Sequence, residues 1–302
     1  MPINESLKDL ELPVKFKKGE GETKFKNQLE TIEVKLMYAP SENDLLSYIP
    51  EFATATWRDN PDYNLTTDQK QNVIKDLFDN KILPTAYETI NLTFKIEGMD
   101  IIDTTHLIRH RTLSFSAQCS ADRDIRNDDA VVKPGIITNE KFYKRYKKLT
   151  KECKKLYADM VDSGEVSLLD ARTILNRNLA TFYYVRGNLK DLMAYIRQRL
   201  DEQIQPTSDN VIAMKMWLRI VEQYPMLAEK IQIGGPDYWY IKTVPTGRSS
   251  NIYMPKKEND IFDYKEQWFL YQKRREDFPG NETYNKIKQD IINKIERIKN
   301  GK

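Results

Sequence analysis

Apolar and polar positions alternate along two short stretches of the chain. Ile32, Val34, Leu36 and Tyr38 alternate with mostly polar neighbours, and Ile90, Leu92, Phe94 and Ile96 alternate with Asn91, Thr93, Lys95 and Glu97. A period of two sends successive side chains to opposite faces, so both stretches predict half-buried strands. Elsewhere the period is helical. Ser41 to Asp44 has the layout of a capping box, with Asp in place of Glu, ahead of Leu45, Ile49 and Phe52. A second helix opens at Thr66 or Thr67 and carries Val73, Ile74, Leu77 and Phe78 on one side. The clearest helix is predicted over 139–161. There Phe142, Tyr146, Leu149, Cys153, Leu156 and Met160 step by four and three toward a core, and the intervening lysines form the solvated face. Ser167 to Asp170 caps a short helix reaching Leu175, and Leu179 to Val185 reads as extended. Asn188 caps a helix through about Gln203, another follows over 208–224, and a last one carries Tyr284, Ile287, Ile291, Ile295 and Ile298. Between Ser114 and Gly135 the periodicity disappears, and a long loop is predicted there. Long loops inside compact domains are commonly functional.

Composition narrows the class. Of 302 residues, 40% are apolar, with 17 Tyr, 11 Phe and 4 Trp, enough for a real core. Forty-eight basic against 45 acidic residues leave a net charge of +3, too balanced for a protein built around a nucleic-acid backbone. Cys119 and Cys153 lie far apart and suggest neither a metal site nor a disulfide framework, so a reducing cytoplasm is expected. The most apolar helical run, Val211 to Val221, is broken by Lys215 and Arg219, and no membrane span is expected. Residues 1–30 are polar and lysine-rich and read as a loose arm.

Both histidines, His106 and His110, fall within residues 104–123 beside Arg109, Arg111 and Arg123. Such unlike polar groups have little use in a core, because unpaired charge is costly to bury. They suit an anion or a planar, hydrogen-bonding ligand. Asn188 and Arg199 are eleven positions apart, almost three helical turns, and so share a face. They could serve one ligand, or Asn188 could be only a cap and Arg199 only a surface charge. Arg172 by itself is unremarkable. No phosphate-binding glycine loop and no Ser-His or Cys-His nucleophile signature stands out.

Arg109-His110-Arg111, then Ser114, Ser120 and Arg123, resembles the signature of the flavin-dependent thymidylate synthases (the ThyX family). Thr85 to Glu88 is similar to that family's Thr-Pro-Phe-Glu segment, and Ala171 to Leu175 to its Ala-Arg-x-x-Leu segment. Asn188 to Lys190 stands for Asn-Ala-Arg, and Arg199 with Gln205 for the Arg preceding Ala-Gln. The resemblance covers roughly residues 30 to 228. It implies an α+β fold, a small antiparallel sheet flanked by helices, as a catalytic domain over 31–230 between the arm 1–30 and an extension 231–302.

The implied activity is methylation of dUMP at C5 to give dTMP. Methylenetetrahydrofolate would donate the carbon, with FAD and NADPH as cofactors, in a cytoplasmic homotetramer whose sites are shared between subunits. Neither a membrane nor a nucleic acid is implied as a partner. By resemblance, Arg109, His110, Arg111, Thr85, Asn188 and Lys190 bind FAD. His106, Ser120, Arg123, Arg172 and Arg199 bind the nucleotide, and Arg199 is catalytic, stabilising negative charge as C5 becomes nucleophilic. Some positions depart from the family pattern. Ser116 replaces Asn, His106 replaces Gln, Lys190 replaces Arg, Ala194 replaces a polar flavin contact, and the loop before Arg123 is about two residues longer, so that Cys119 could take the place of Ser120. These departures leave room for hydroxymethylation of dUMP, for dCMP as substrate, or for nucleotide binding without catalysis.

Overall fold

The computed structural model describes residues 18–19, 21–55, 59–60, 64–80, 84–120, 123–202, 206–233 and 280–301. Gln205 and most of the tail after Ile231 therefore lie outside the described residues. Four strands, β2 (Glu33–Tyr38), β3 (Asn91–Met99), β4 (Ser114–Ala117) and β6 (Thr181–Asn188), form an antiparallel sheet in the order β2-β3-β6-β4. The short strands β1 (Phe25–Asn27) and β5 (Ala130–Val132) pair in parallel to one side. Helices α1 (Gln28–Thr31), α2 (Glu42–Thr54), α3 (Thr67–Asn80), α4 (Ile101–Ile108), α5 (Pro134–Ile137), α6 (Glu140–Ser163), α7 (Leu168–Ala171), α8 (Leu189–Arg199), α9 (Thr207–Gln223) and α10 (Asn281–Lys299) surround them. The α+β architecture with a small antiparallel sheet is as the resemblance implied.

Alternation decides the sheet's buried face. Leu92, Phe94 and Ile96 of β3 are fully buried, with Val34 of β2 and Val185 of β6 beside them. The capping box at Ser41 is present: Asp44 N donates to Ser41 Oγ at 3.1 Å, and Ser41 N donates to Asp44 Oδ2 at 2.8 Å. α9 is the hub of the core, with Val211, Met214, Trp217, Ile220 and Val221 buried. The two charges that interrupt its apolar run have a structural task. Lys215 Nζ donates to Ile32 O at 2.5 Å and Arg219 Nε to Val34 O at 3.0 Å, satisfying backbone beside the edge strand β2. Gly98 allows the bulge that ends β3. Its φ of +78° suits glycine, and a Cβ there would lie 2.4 Å from Thr31 O.

Three expectations change, and one helix appears for which no element was expected. Residues 114–135 are not structureless, because β4 pairs with β6 and β5 with β1. These strands are three and four residues long, too short for periodicity to register. Residues 104–108 belong to α4, whose Asp100 cap accepts from Ile102 N and Asp103 N. At the end of the polar arm, Gln28 and Leu29 of α1 are fully buried, and β1 is hydrogen-bonded.

Finally, α6 is rotated from its predicted setting. Phe142, Leu149 and Leu156 are exposed by 56%, 54% and 48%, Cys153 is half-buried, and Thr150, Lys154, Tyr157 and Ala158 face inward. The reason is the loop after β4. Its carbonyls at Arg126 and Asp128, with Thr23 Oγ1, take the three hydrogens of Lys154 Nζ. A buried ammonium is tolerated because every donor is used, although burial still pushes its pKa down to about 8.

Candidate active site

The side chains singled out from sequence form three groups along α4, β6 and α8. The first surrounds Arg199, which is buried at the last turn of α8. Its Nη2 donates to His106 O at 3.0 Å and reaches His110 Nε2 at 3.1 Å, while Nη1 lies 3.5 Å from Asp209 Oδ2. Asp209, only 2% exposed in the first turn of α9, also takes His106 Nδ1 at 2.7 Å. A guanidinium can only donate, so His110 Nε2 accepts and the ring is neutral. Burial, and next the Arg199 charge, push the His110 pKa down to about 4. The His110 ring meets the buried Tyr195 ring edge-on, with 4.7 Å between centroids.

The second group lies at the start of β6. Arg172 Nη1 donates to Ser120 Oγ at 3.1 Å. Arg123 engages Asp128 through both terminal nitrogens, with Nη1 to Oδ1 at 2.7 Å. With its oxygen turned to the guanidinium, the Gln118 amide accepts from Arg123 Nε and Nη2, each at 3.0 Å. Gln118 thus stands as a neutral acceptor beside the Arg123 guanidinium.

The third group lies at the opposite end of β6. Asn188 Oδ1 accepts from Asp191 N at 2.9 Å, capping α8, and Lys190 pairs with Glu88 in the segment that begins at exposed Thr85. Arg109 and Arg111 project from the turn after α4, exposed and without an ion pair among the described residues. That turn is pressed onto β6: a Cβ at Gly187 would fall 2.3 Å from Leu113 Cδ2.

The structure therefore joins Ser120 to Arg172, and Arg199 to both histidines. It does not bring the Asn188 group to the Ser120 group, since eight residues of strand separate their ends by roughly 23 Å.

The comparisons with known proteins agree with the motif. A family model described as thymidylate synthase complementing protein matches residues 38–226, more than half of the chain. The chain belongs to this family. Among its relatives are the flavin-dependent thymidylate synthases of Pyrococcus furiosus, 31% identical over 133 residues, and of Thermococcus onnurineus, 32% identical over 118. Those stretches cover 41% and 38% of this chain, and 54% and 48% of the relatives, so the match spans about half the relatives' length. In fold, the chain is similar to the UMP/dUMP methylase PolB from Streptomyces cacaoi, solved with 5-Br dUMP. The TM-score is 0.59 at 17% identity, over 68% of this chain and 96% of that one.

For this member of the thymidylate synthase complementing family, Asp209 and Asp128 are contacts the motif did not reveal, and the pairing of Glu88 with Lys190 is a third. Each reads in sequence as an ordinary acid, and only the packing shows which cation it faces. A fourth is Asp103, buried one turn before His106 on α4. It accepts from Gln28 Nε2 at 2.5 Å, Ser208 Oγ at 2.6 Å and Lys133 Nζ at 3.2 Å, which fixes α4 against α9.

Burial pushes the Asp103 carboxyl up to about 6, opposed chiefly by the Lys133 charge. A carboxyl whose pKa is raised by folding contributes stability that is present below its unfolded value near 4 and is lost as pH rises through 6. His110 acts oppositely across an overlapping window, since its lowered pKa removes stability as pH falls from about 6.5 to 4. The Asp103 contribution is therefore read as a difference between two proteins. Asp103→Asn should remove a falling component of up to about 1.4 kcal/mol per pH unit between pH 4 and 6, measured from urea midpoints. Parallel pH profiles for the two proteins would contradict this assignment.

Proposed function

We propose that the chain methylates dUMP at C5 to give dTMP, using FAD, methylenetetrahydrofolate and NADPH, as a cytoplasmic homotetramer. The observation that carries this reading is the buried Arg199, held together with His106 and His110 directly behind the Arg109–Arg111 turn. A guanidinium fixed in buried, poorly solvated surroundings is suited to stabilise negative charge developing on a pyrimidine ring. Ser120 and Arg172 form a contiguous hydroxyl and guanidinium pair for a nucleotide phosphate, and Arg123 follows Ser120 closely in sequence.

The exposed guanidiniums of Arg109 and Arg111 at the other end of β6 fit a cofactor with a pyrophosphate, with Lys190 and Asn188 beside them, where a ligand would compete with Glu88 and Asp191 for their donors. When bound, the reduced flavin supplies the hydride that completes the methyl group. Arg109, Arg111, Lys190, Thr85 and Asn188 would hold its charged and ring portions, together with His110, the neutral ring within the Arg109–Arg111 turn. The separation of the two ends of β6 supports sites completed by a second subunit, because one protomer leaves nucleotide and flavin groups apart. Cys119 and Cys153 are both thiols, and no described helix is long and apolar enough to cross a membrane.

The test uses purified full-length protein. Flavin absorbance, together with tritium release from C5-labelled dUMP and a methylated product by mass, is the expected result. Release from dCMP, or a hydroxymethylated product, would replace the proposed substrate or product. Nucleotide binding without any release would refute catalysis.

A further inference from the structure

We propose that Asp209 is the positioning residue of the site: one buried carboxylate that sets the tautomer of His106 and the orientation of Arg199 together. The inference rests on the reading above only for what His106 and Arg199 do; the arrangement itself stands on geometry. Asp209 sits in the first turn of α9, a 17-residue helix, where the exposed backbone N–H groups and the helix dipole favour negative charge. It is 2% exposed, and its Oδ2 lies 2.7 Å from His106 Nδ1 and 3.5 Å from Arg199 Nη1. Its neighbour Ser208 donates to Asp103 of α4 at 2.6 Å. The first turn of α9 is thereby pinned to α4 at two places three residues apart, Asp103 and His106.

The consequence for His106 is chemical. A carboxylate accepts, so Nδ1 of His106 carries a proton and Nε2 is left as the working nitrogen of a ring whose side chain is 23% exposed. Arg199 completes the arrangement by donating to the backbone oxygen of His106 itself. One carboxylate therefore holds two proposed nucleotide-binding groups in a single frame, and neither can swing without breaking a buried charge contact. The charged and titratable groups facing Asp209 are His106 from α4, Arg199 and Tyr195 from α8, and His110 from the turn between α4 and β4.

The chain has only two histidines, so nitrogen NMR of the full-length protein with labelled imidazoles resolves both. His106 is expected with a protonated Nδ1, and in Asp209→Asn its ring nitrogens should shift while those of His110 move less. A wild-type His106 that is neutral with its proton on Nε2 overturns the proposal, and this needs neither a variant nor activity. The kinetic arm uses C5 tritium release. Asp209→Asn should lower kcat about tenfold with nucleotide Kd changed less than threefold. Because Asp209 acts through His106 as well as Arg199, that loss should shrink when the variant is made in a His106→Gln background. Equal losses in both backgrounds overturn the proposal. Failure of wild-type protein to release tritium would count against the proposed reaction and leave the NMR result to decide the role of Asp209.

Discussion

Arg199→Ala is expected to lose about 3–5 kcal/mol of folding stability and all measurable C5 tritium release. The size follows from what remains behind. Asp209 is 2% exposed, and without Arg199 its guanidinium contact disappears while its solvation does not return. His106 O and His110 Nε2 lose a donor in the same substitution. Asn210 Nδ2 donates to the backbone oxygen of Arg199 at 2.5 Å, so the last turn of α8 is tied to α9 from the backbone as well, and that tie survives. The loss should therefore be confined to the charge network and leave the register of the two helices intact. Arg199→Lys separates the two effects. It keeps a cation near Asp209, but a single ammonium cannot also span His106 O and His110. It should recover most of the stability and little of the activity, as read by urea unfolding and tritium release on the same preparations. An alanine variant within 1 kcal/mol of wild type would mean that Arg199 is not buried against Asp209.

How much of this was legible beforehand follows from what each signal depends on. The strands at Val34 and Phe94 and the caps at Ser41, Ser167 and Asn188 are local patterns, and the structure has all of them. The Arg109–Arg123 signature led to the right family for the same reason. α4 escaped notice because its apolar positions, Ile101, Ile102, Leu107 and Ile108, share their turns with the polar groups of the site, so no clean stripe appears. β4 and β5 are stable only through pairing with β6 and β1, which no local pattern encodes. On α6 the apolar stripe was expected to face the core, but the buried face is set by loop carbonyls that recruit Lys154, a contact between residues 26 or more positions apart. Asp209 was illegible for a related reason: an acid in the first turn of a helix is ordinary, and its meaning comes from Arg199 and His106 on two other elements.

Arg172→Ala is expected to weaken nucleotide binding about a hundredfold while changing folding stability by less than about 1 kcal/mol. The two numbers differ because Arg172 is partly exposed and makes one side-chain hydrogen bond among the described residues, Nη1 to Ser120 Oγ at 3.1 Å. Its remaining donors are open to a phosphate, where charge-assisted pairs are worth about 1.5–3 kcal/mol each. Arg123→Ala should cost less affinity. The Arg123 fork is already engaged by Asp128 through both terminal nitrogens and by Gln118, so a phosphate must compete for donors in use. The expected order of dissociation constants is therefore Arg172→Ala above Arg123→Ala above wild type, measured by calorimetry with dUMP at fixed ionic strength. Arg109→Ala supplies the contrast, because it belongs to the group at the far end of β6 and should reduce flavin retention with little change in dUMP affinity. The reverse order for Arg172 and Arg123 would place the phosphate on the Asp128 side of the loop, and equal losses of dUMP affinity for Arg172 and Arg109 would collapse the division of the site into two ends.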